Sequence, residues 1–423
     1  LNVIDIFLPG GPDSRYLFPY LSGAVDAALR ARRPNISLGA ETIITPTGFV
    51  QNGRLNPIGF HPNFANLINK VNNTGAGIAL ITEFGATANA SRSHEVAQQM
   101  YRDASLAGQA SIPAGWIGRT VSEFGLPGLS VWGFGVGDPK FMAVDGPDKP
   151  FVVSNLGNVT FNDRNFSQMN CSGLVGNPCG TRSATAQEDS IYMRDVLRRL
   201  QDASGEQGNS LQKLLAESQA AVFNAVPVAA NMINEVTVDL NLFGGNLPLA
   251  NSCRDIARAI HYLNLSPQAP ANIKVGTKIF ATAQGGWDSH ANQASFGNIP
   301  ANITQLASAI AGLVHYLHAW GLLDKTVIAA HGEFGRTCAQ NGSAGTDHAE
   351  AGHFLVVGGA AVVRRGVFGP EASVDQAQNA NFFTAQVPQT GILRAILSKA
   401  FDPEGLDRVF ANPMPGSVPN FLV

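Results

Sequence analysis

Short apolar runs, each closed by turn residues, punctuate this chain: Leu1-Asn-Val-Ile-Asp-Ile-Phe-Leu8, Gly77-Ile-Ala-Leu-Ile81, Lys278-Ile-Phe-Ala-Thr282, Thr326-Val-Ile-Ala-Ala330 and His353-Phe-Leu-Val-Val-Gly358. Runs of this length, apolar without alternation, read as strands buried on both faces. They predict strands at 2–8, 77–81, 278–282, 326–330 and 353–358, with another at 129–132. Between them the apolar positions recur at helical spacing, predicting helices at 24–32, 62–73, 96–103, 113–124, 252–263 and 304–320. Residues 185–225 also look helical, with an amphipathic face at Asp195-Val-Leu-Arg-Arg-Leu200. Strands alternating with helices predict an α/β fold with an open, mainly parallel sheet covered on both faces. Residues 138–182 break the pattern with Gly, Pro and Asn. They read as a loop-rich insertion or cap within one domain spanning 1–423.

Composition narrows the function classes. Hydrophobic residues make 45% of the 423 and charged residues 14%, which argues for a packed globular chain. A net charge of −3 provides no basic field for nucleic acid or an anionic membrane. No apolar run reaches the roughly 20 residues of a transmembrane helix. The chain opens without Met, which suggests a mature form from which an export signal has been removed. Cys171 and Cys179 share a loop with nothing else to order it, so a disulfide there is expected, and with it an oxidising compartment. Cys253 and Cys338 could be a second pair or buried thiols.

The chemistry concentrates late in the chain. Gln284-Gly-Gly-Trp-Asp-Ser-His290 follows one strand, His331-Gly-Glu-Phe-Gly-Arg-Thr337 follows another, and Gly345-Thr-Asp-His348 with His353 precedes a third. Two strand exits and one strand entry thus supply Asp288, His290, Glu333, Asp347, His348 and His353. Imidazole together with carboxylate suits zinc, manganese or iron, whereas carboxylates alone would favour magnesium or calcium. A hydrogen-bonded network that orders long loops is the competing explanation. Ser93 stands at the start of the helix near 96–103, where backbone amides and the helix dipole favour an anion, making it a candidate nucleophile. Ser91, Thr87 and Ser14 are alternatives. Arg92, Arg119 and Arg336 are candidate oxyanion binders. Ser93-His94-Glu95 does not read as a triad, because adjacent helical residues do not converge. There is no Gly-x-Ser-x-Gly elbow and no His-Glu-x-x-His helix.

At these residues the chain resembles a bacterial family catalogued as domain of unknown function 1501, sulfatase-like proteins typically exported by the twin-arginine route. The matching stretches include Phe7-Leu-Pro-Gly-Gly-Pro-Asp13, Ser93-His-Glu95, Gly115-Trp-Ile-Gly-Arg119, Gly286-Trp-Asp-Ser-His290, Gly332-Glu-Phe-Gly-Arg-Thr337 and Gly345-Thr-Asp-His348. The resemblance implies an alkaline phosphatase-like three-layer α/β/α sandwich with two metals at the carboxyl edge of the sheet. It implies Asp288, His290, Asp347, His348 and His353 as ligands, Glu333 as an additional carboxylate and Ser93 as nucleophile. It also exposes a departure: Pro9 or Gly10 stands where that superfamily places a metal-ligand Asp, and Asp13 follows several residues later.

The expectation is therefore an exported, periplasmic or cell-surface hydrolase of phosphate or sulfate esters that uses a divalent metal (zinc, manganese, magnesium or calcium). An anionic ester or sulfated glycan would be the substrate, and a homo-oligomer or surface assembly the quaternary form. The alternative is a non-catalytic surface protein that keeps the fold with a degenerate metal site. Trp132 and Trp287 raise a third idea, a carbohydrate-binding role.

Overall fold

The computed structural model describes residues 1–105, 114–136, 142, 150–156, 225–295, 298–410 and 413–423. Within them nine strands form one sheet: β1 (Asn2–Phe7), β2 (Gly77–Gly85), β3 (Val131–Phe134), β4 (Phe151–Val153), β5 (Lys278–Ala283), β6 (Thr326–His331), β7 (Gly352–Gly358), β8 (Gly366–Phe368) and β9 (Val387–Pro388). The order is β4-β3-β5-β1-β6-β7-β2-β8, with β9 joining β2. All pairings are parallel except those of β7, which runs antiparallel to both β6 and β2. The reversal of β7 puts its entry on the same edge as the exits of β1, β5 and β6. Two exits and one entry can therefore meet.

The sheet separates two hydrophobic cores, because alternate residues of each strand point to opposite faces. Ile4, Leu80, Phe280, Ile328 and Leu355 join one core. Val3, Ile81, Ile279, Val327 and Phe354 join the other. The first core is closed by helices Ala65–Thr74, Pro248–Leu265 and Ile299–Ala319. Trp116–Phe124, Gln389–Leu397 and Pro403–Val409 pack into the second. Each apolar run expected as a strand is one: those at 77–81, 278–282, 326–330 and 353–358 are longer by one to four residues, the first ends one residue earlier at Phe7, and the one expected at 129–132 lies two residues later, at Val131–Phe134.

Three strands were not anticipated. β4 lies inside the stretch expected to cover the sheet, but Phe151–Val153 pairs in parallel with β3 and belongs to the sheet itself. β8 and β9 are only three and two residues long, too short to carry a period. The amphipathic stretch 195–200, the rest of 157–224 and both Cys171 and Cys179 lie outside the described residues. Cys253 and Cys338 are separate, buried thiols.

Candidate metal centre

Register levels the strand tips: Phe7 of β1 stands beside Ala283 of β5 and His331 of β6. The segments leaving β5 and β6 and the segment entering β7 therefore crowd over the end of β1. The helix His94–Asp103, which follows β2, brings its first turn to the same place.

Three imidazoles converge on Asp288. His290 Nε2 lies 3.0 Å and His348 Nε2 3.4 Å from Asp288 Oδ1, and the two Nε2 atoms are 2.9 Å apart. His94 Nε2 approaches Asp288 Oδ2 at 3.5 Å and has no hydrogen-bond partner. Atoms of His94, Asp288 and His348 all lie within 4.8 Å of one another.

The opposite nitrogen of each ring is committed. His94 Nδ1 sits 2.7 Å from Glu333 Oε1, His290 Nδ1 3.0 Å from Asp347 Oδ1, and His348 Nδ1 2.7 Å from the Arg92 carbonyl oxygen. Each acceptor calls for a proton on Nδ1, so in the neutral ring Nε2 carries a lone pair. Those lone pairs face one another and a carboxylate. That is the arrangement of ligating histidines whose far nitrogen is held by a carboxylate or carbonyl.

The surrounding carboxylates stay ionised for stated reasons. Burial opposes the charge of Asp288, but the Arg336 guanidinium 2.6 Å away outweighs it and holds the carboxyl below its ordinary value. Burial likewise opposes Glu333, and donors from His94, Gln98 and the Gly10 amide bring it down. Asp347 is lowered by hydrogen bonds from Asn341 and His290. The Glu333 bond raises His94, while burial lowers His348.

The other expected site residues fall as follows. Ser93 is exposed at the start of the His94–Asp103 helix and makes no side-chain capping bond. It lies between Arg92, whose carbonyl holds His348, and His94. The exposed Arg92 stacks its guanidinium 4.8 Å from the Phe382 ring. Arg336 is buried and donates to the carbonyls of Gly10, Gly11 and Thr346 as well as to Asp288. Arg119 donates to the carbonyls of Val409, Ala114 and Asp103. Asp13 pairs with Arg33 at 2.9 Å and accepts from Gln293, so it serves the loop rather than the cluster. His353 is buried among Phe18 and Tyr20 on the first-core side, and burial drives its pKa well below the ordinary value. Trp132 and Trp287 are fully buried, so neither forms an exposed platform for a sugar.

His94 is the member that sequence reasoning left aside. A signal existed: His94, Gln98 and Tyr101 fall at i, i+4 and i+7, a polar stripe on one helix face. His94 and Gln98 reach Glu333 at the sheet edge, and Tyr101 reaches Asp5 within β1.

Fold and site together define a mixed α/β protein whose mainly parallel sheet carries a histidine- and carboxylate-lined site at its edge. The chain belongs to the family described as protein of unknown function DUF1501, whose model matches residues 1–392. No curated protein matches it.

Proposed function

We propose that the protein is a metal-dependent hydrolase of phosphate or sulfate esters, built on an alkaline phosphatase-like sandwich and working outside the cytoplasm. The observation that carries this reading is the convergence of Nε2 atoms of His290 and His348 on Asp288 with their Nδ1 positions committed elsewhere. Without a cation, three electron-rich atoms face each other at hydrogen-bond distance. A zinc-class ion fits nitrogen and carboxylate donors of this kind and would supply Lewis acidity toward an ester oxygen. Ser93, exposed, without a side-chain capping bond and next in sequence to His94, is the nucleophile of this reading. Arg92, exposed and with its carbonyl on His348, is the arginine of this reading that would meet a phosphate, a sulfate or a sulfated glycan, by leaving its stack on Phe382.

The test is turnover of 4-nitrophenyl phosphate and 4-nitrophenyl sulfate by protein loaded with zinc or manganese. Asp288→Asn is expected to lower turnover by at least about 100-fold, and Ser93→Ala to abolish a covalent intermediate. Turnover unaffected by Asp288→Asn would contradict the reading.

One observation favours a second reading, a surface protein that binds without turnover. Arg336 and Glu333, two residues expected to serve substrate or metal, satisfy their polar atoms within the protein. Binding of sulfated glycans with no ester turnover in the metal-loaded protein would mark that case.

A further inference from the structure

We infer that the centre holds one cation, bound by His94, His290, His348 and Asp288, with the buried Arg336 guanidinium standing where a second cation would have to sit. This deepens the proposed function and rests on its premise that a cation binds here.

A two-ion site needs carboxylates with an oxygen to spare on each side, and of Asp288, Glu333 and Asp347 only the exposed Asp347 keeps one, its Oδ2, too few to hold a second ion. Asp288 Oδ1 already receives Arg336 Nη2 at 2.6 Å. That guanidinium is pinned by the Gly11 carbonyl at 2.6 Å, the Thr346 carbonyl at 2.9 Å and the Gly10 carbonyl. A second divalent ion beside this carboxylate would add its charge to those of the first ion and the guanidinium, with no further carboxylate oxygen of Asp288 or Glu333 to offset it.

Glu333 has no oxygen left to offer. Its carboxylate accepts from the Gly10 amide at 2.9 Å, the Gly11 amide at 3.0 Å, Gln98 at 3.1 Å and His94 at 2.7 Å. Asp347 Oδ1 is shared by His290 at 3.0 Å and Asn341 at 3.1 Å.

The tip of β1 cannot supply a side chain in its present form. Gly10 has φ +114°, and a Cβ there would stand 2.6 Å from the Asp288 backbone nitrogen. Gly11 has φ +58°, and its Cβ would meet the Phe334 ring at 2.3 Å. The two glycines let backbone alone fill the tip, amides toward Glu333 and carbonyls toward Arg336.

What remains is three imidazole nitrogens and one carboxylate. Such a set selects a zinc or cobalt(II) class of ion over magnesium and calcium, which prefer all-oxygen shells. The positioning group for His94 is Glu333, and for His290 it is Asp347.

Apoprotein titrated with zinc chloride, desalted and counted by mass spectrometry of the metal should retain one ion per chain. Its cobalt(II) form should give the electron paramagnetic resonance of an isolated ion. Removing a ligand costs more than removing a supporting group, so His94→Ala should weaken zinc binding by more than about 100-fold, with circular dichroism unchanged. Two ions per chain, a spin-coupled cobalt pair, or unchanged affinity in His94→Ala would overturn the inference. One bound ion without ester turnover would instead remove the hydrolase and leave the one-cation centre standing.

Discussion

Glu333 ties two parts of the site together through a single carboxylate. It fastens the glycine tip of β1 by backbone amides and orients His94 through Nδ1. Glu333→Gln keeps the shape but replaces one acceptor oxygen by a donor that faces other donors. Zinc affinity is expected to fall by about 10–100-fold, the cost typical of losing a group that orients a ligating histidine. Competition against a chromogenic chelator measures this, and an unchanged affinity would show that His94 needs no such support. At this scale the sequence was partly legible. Asp288, His290 and His348 stand in compact motifs beside recognisable strands, so their meeting could be anticipated. His94 could not be ranked from its neighbours Ser93 and Glu95, because its role depends on how its helix docks. Arg336 is hard to place from sequence for a related reason: an arginine in a loop motif looks available until the fold surrounds it with carbonyls.

At the scale of elements, the helix His94–Asp103 is the piece that brings a third imidazole to the sheet edge. Its polar stripe runs from His94 at the cluster to Tyr101, which donates to the buried Asp5 in the middle of β1. Tyr101 also stacks on Phe7, ring centroids 4.4 Å apart, and Asp5 accepts from His331 at 3.1 Å. A hydrogen bond to a buried carboxylate is worth about 1.5–3 kcal/mol. Tyr101→Phe should therefore lower unfolding free energy by roughly that amount and speed amide exchange in this helix, as urea denaturation and hydrogen exchange would record. A change under about 0.5 kcal/mol would mean the bond does not anchor the helix. Long apolar strands were legible because burial on both faces leaves an unbroken run. Reversal of β7 is not written in its own residues, since Gly352–Gly358 would read alike in either direction. It shows only in the loop that joins β6 to β7 along one edge. β4 escaped because three residues at an edge, within a stretch rich in Gly, Pro and Asn, carry no periodic signal.

Across the whole molecule, two cores hold nine strands and the helices in place, and some of that packing depends on histidines remaining neutral. His61 is buried against Tyr16 and accepts from the Asn63 amide, and burial lowers its pKa from 6.5 to about 4. Burial also lowers His353. The unfolded chain binds a proton at His61 below pH 6.5 while the folded chain resists it down to about pH 4. Stability is therefore full above pH 6.5 and is lost as pH falls toward 4, by roughly 2–3 kcal/mol from this residue. His61→Asn retains an acceptor for the Asn63 amide and removes the titration. Urea denaturation at pH 7.5 and 4.5 should show a smaller acid loss in the variant by about that amount. An equal loss in both proteins would place the acid sensitivity elsewhere.

The central claim is that His94, Asp288, His290 and His348 share one cation. The most direct measurement is an anomalous difference map from crystals of zinc-loaded protein, collected on both sides of the zinc absorption edge. The expected result is a single peak within bonding distance of the three Nε2 atoms and the Asp288 carboxylate. A map with no peak there, or with a pair of peaks bridged by Asp288, would contradict it.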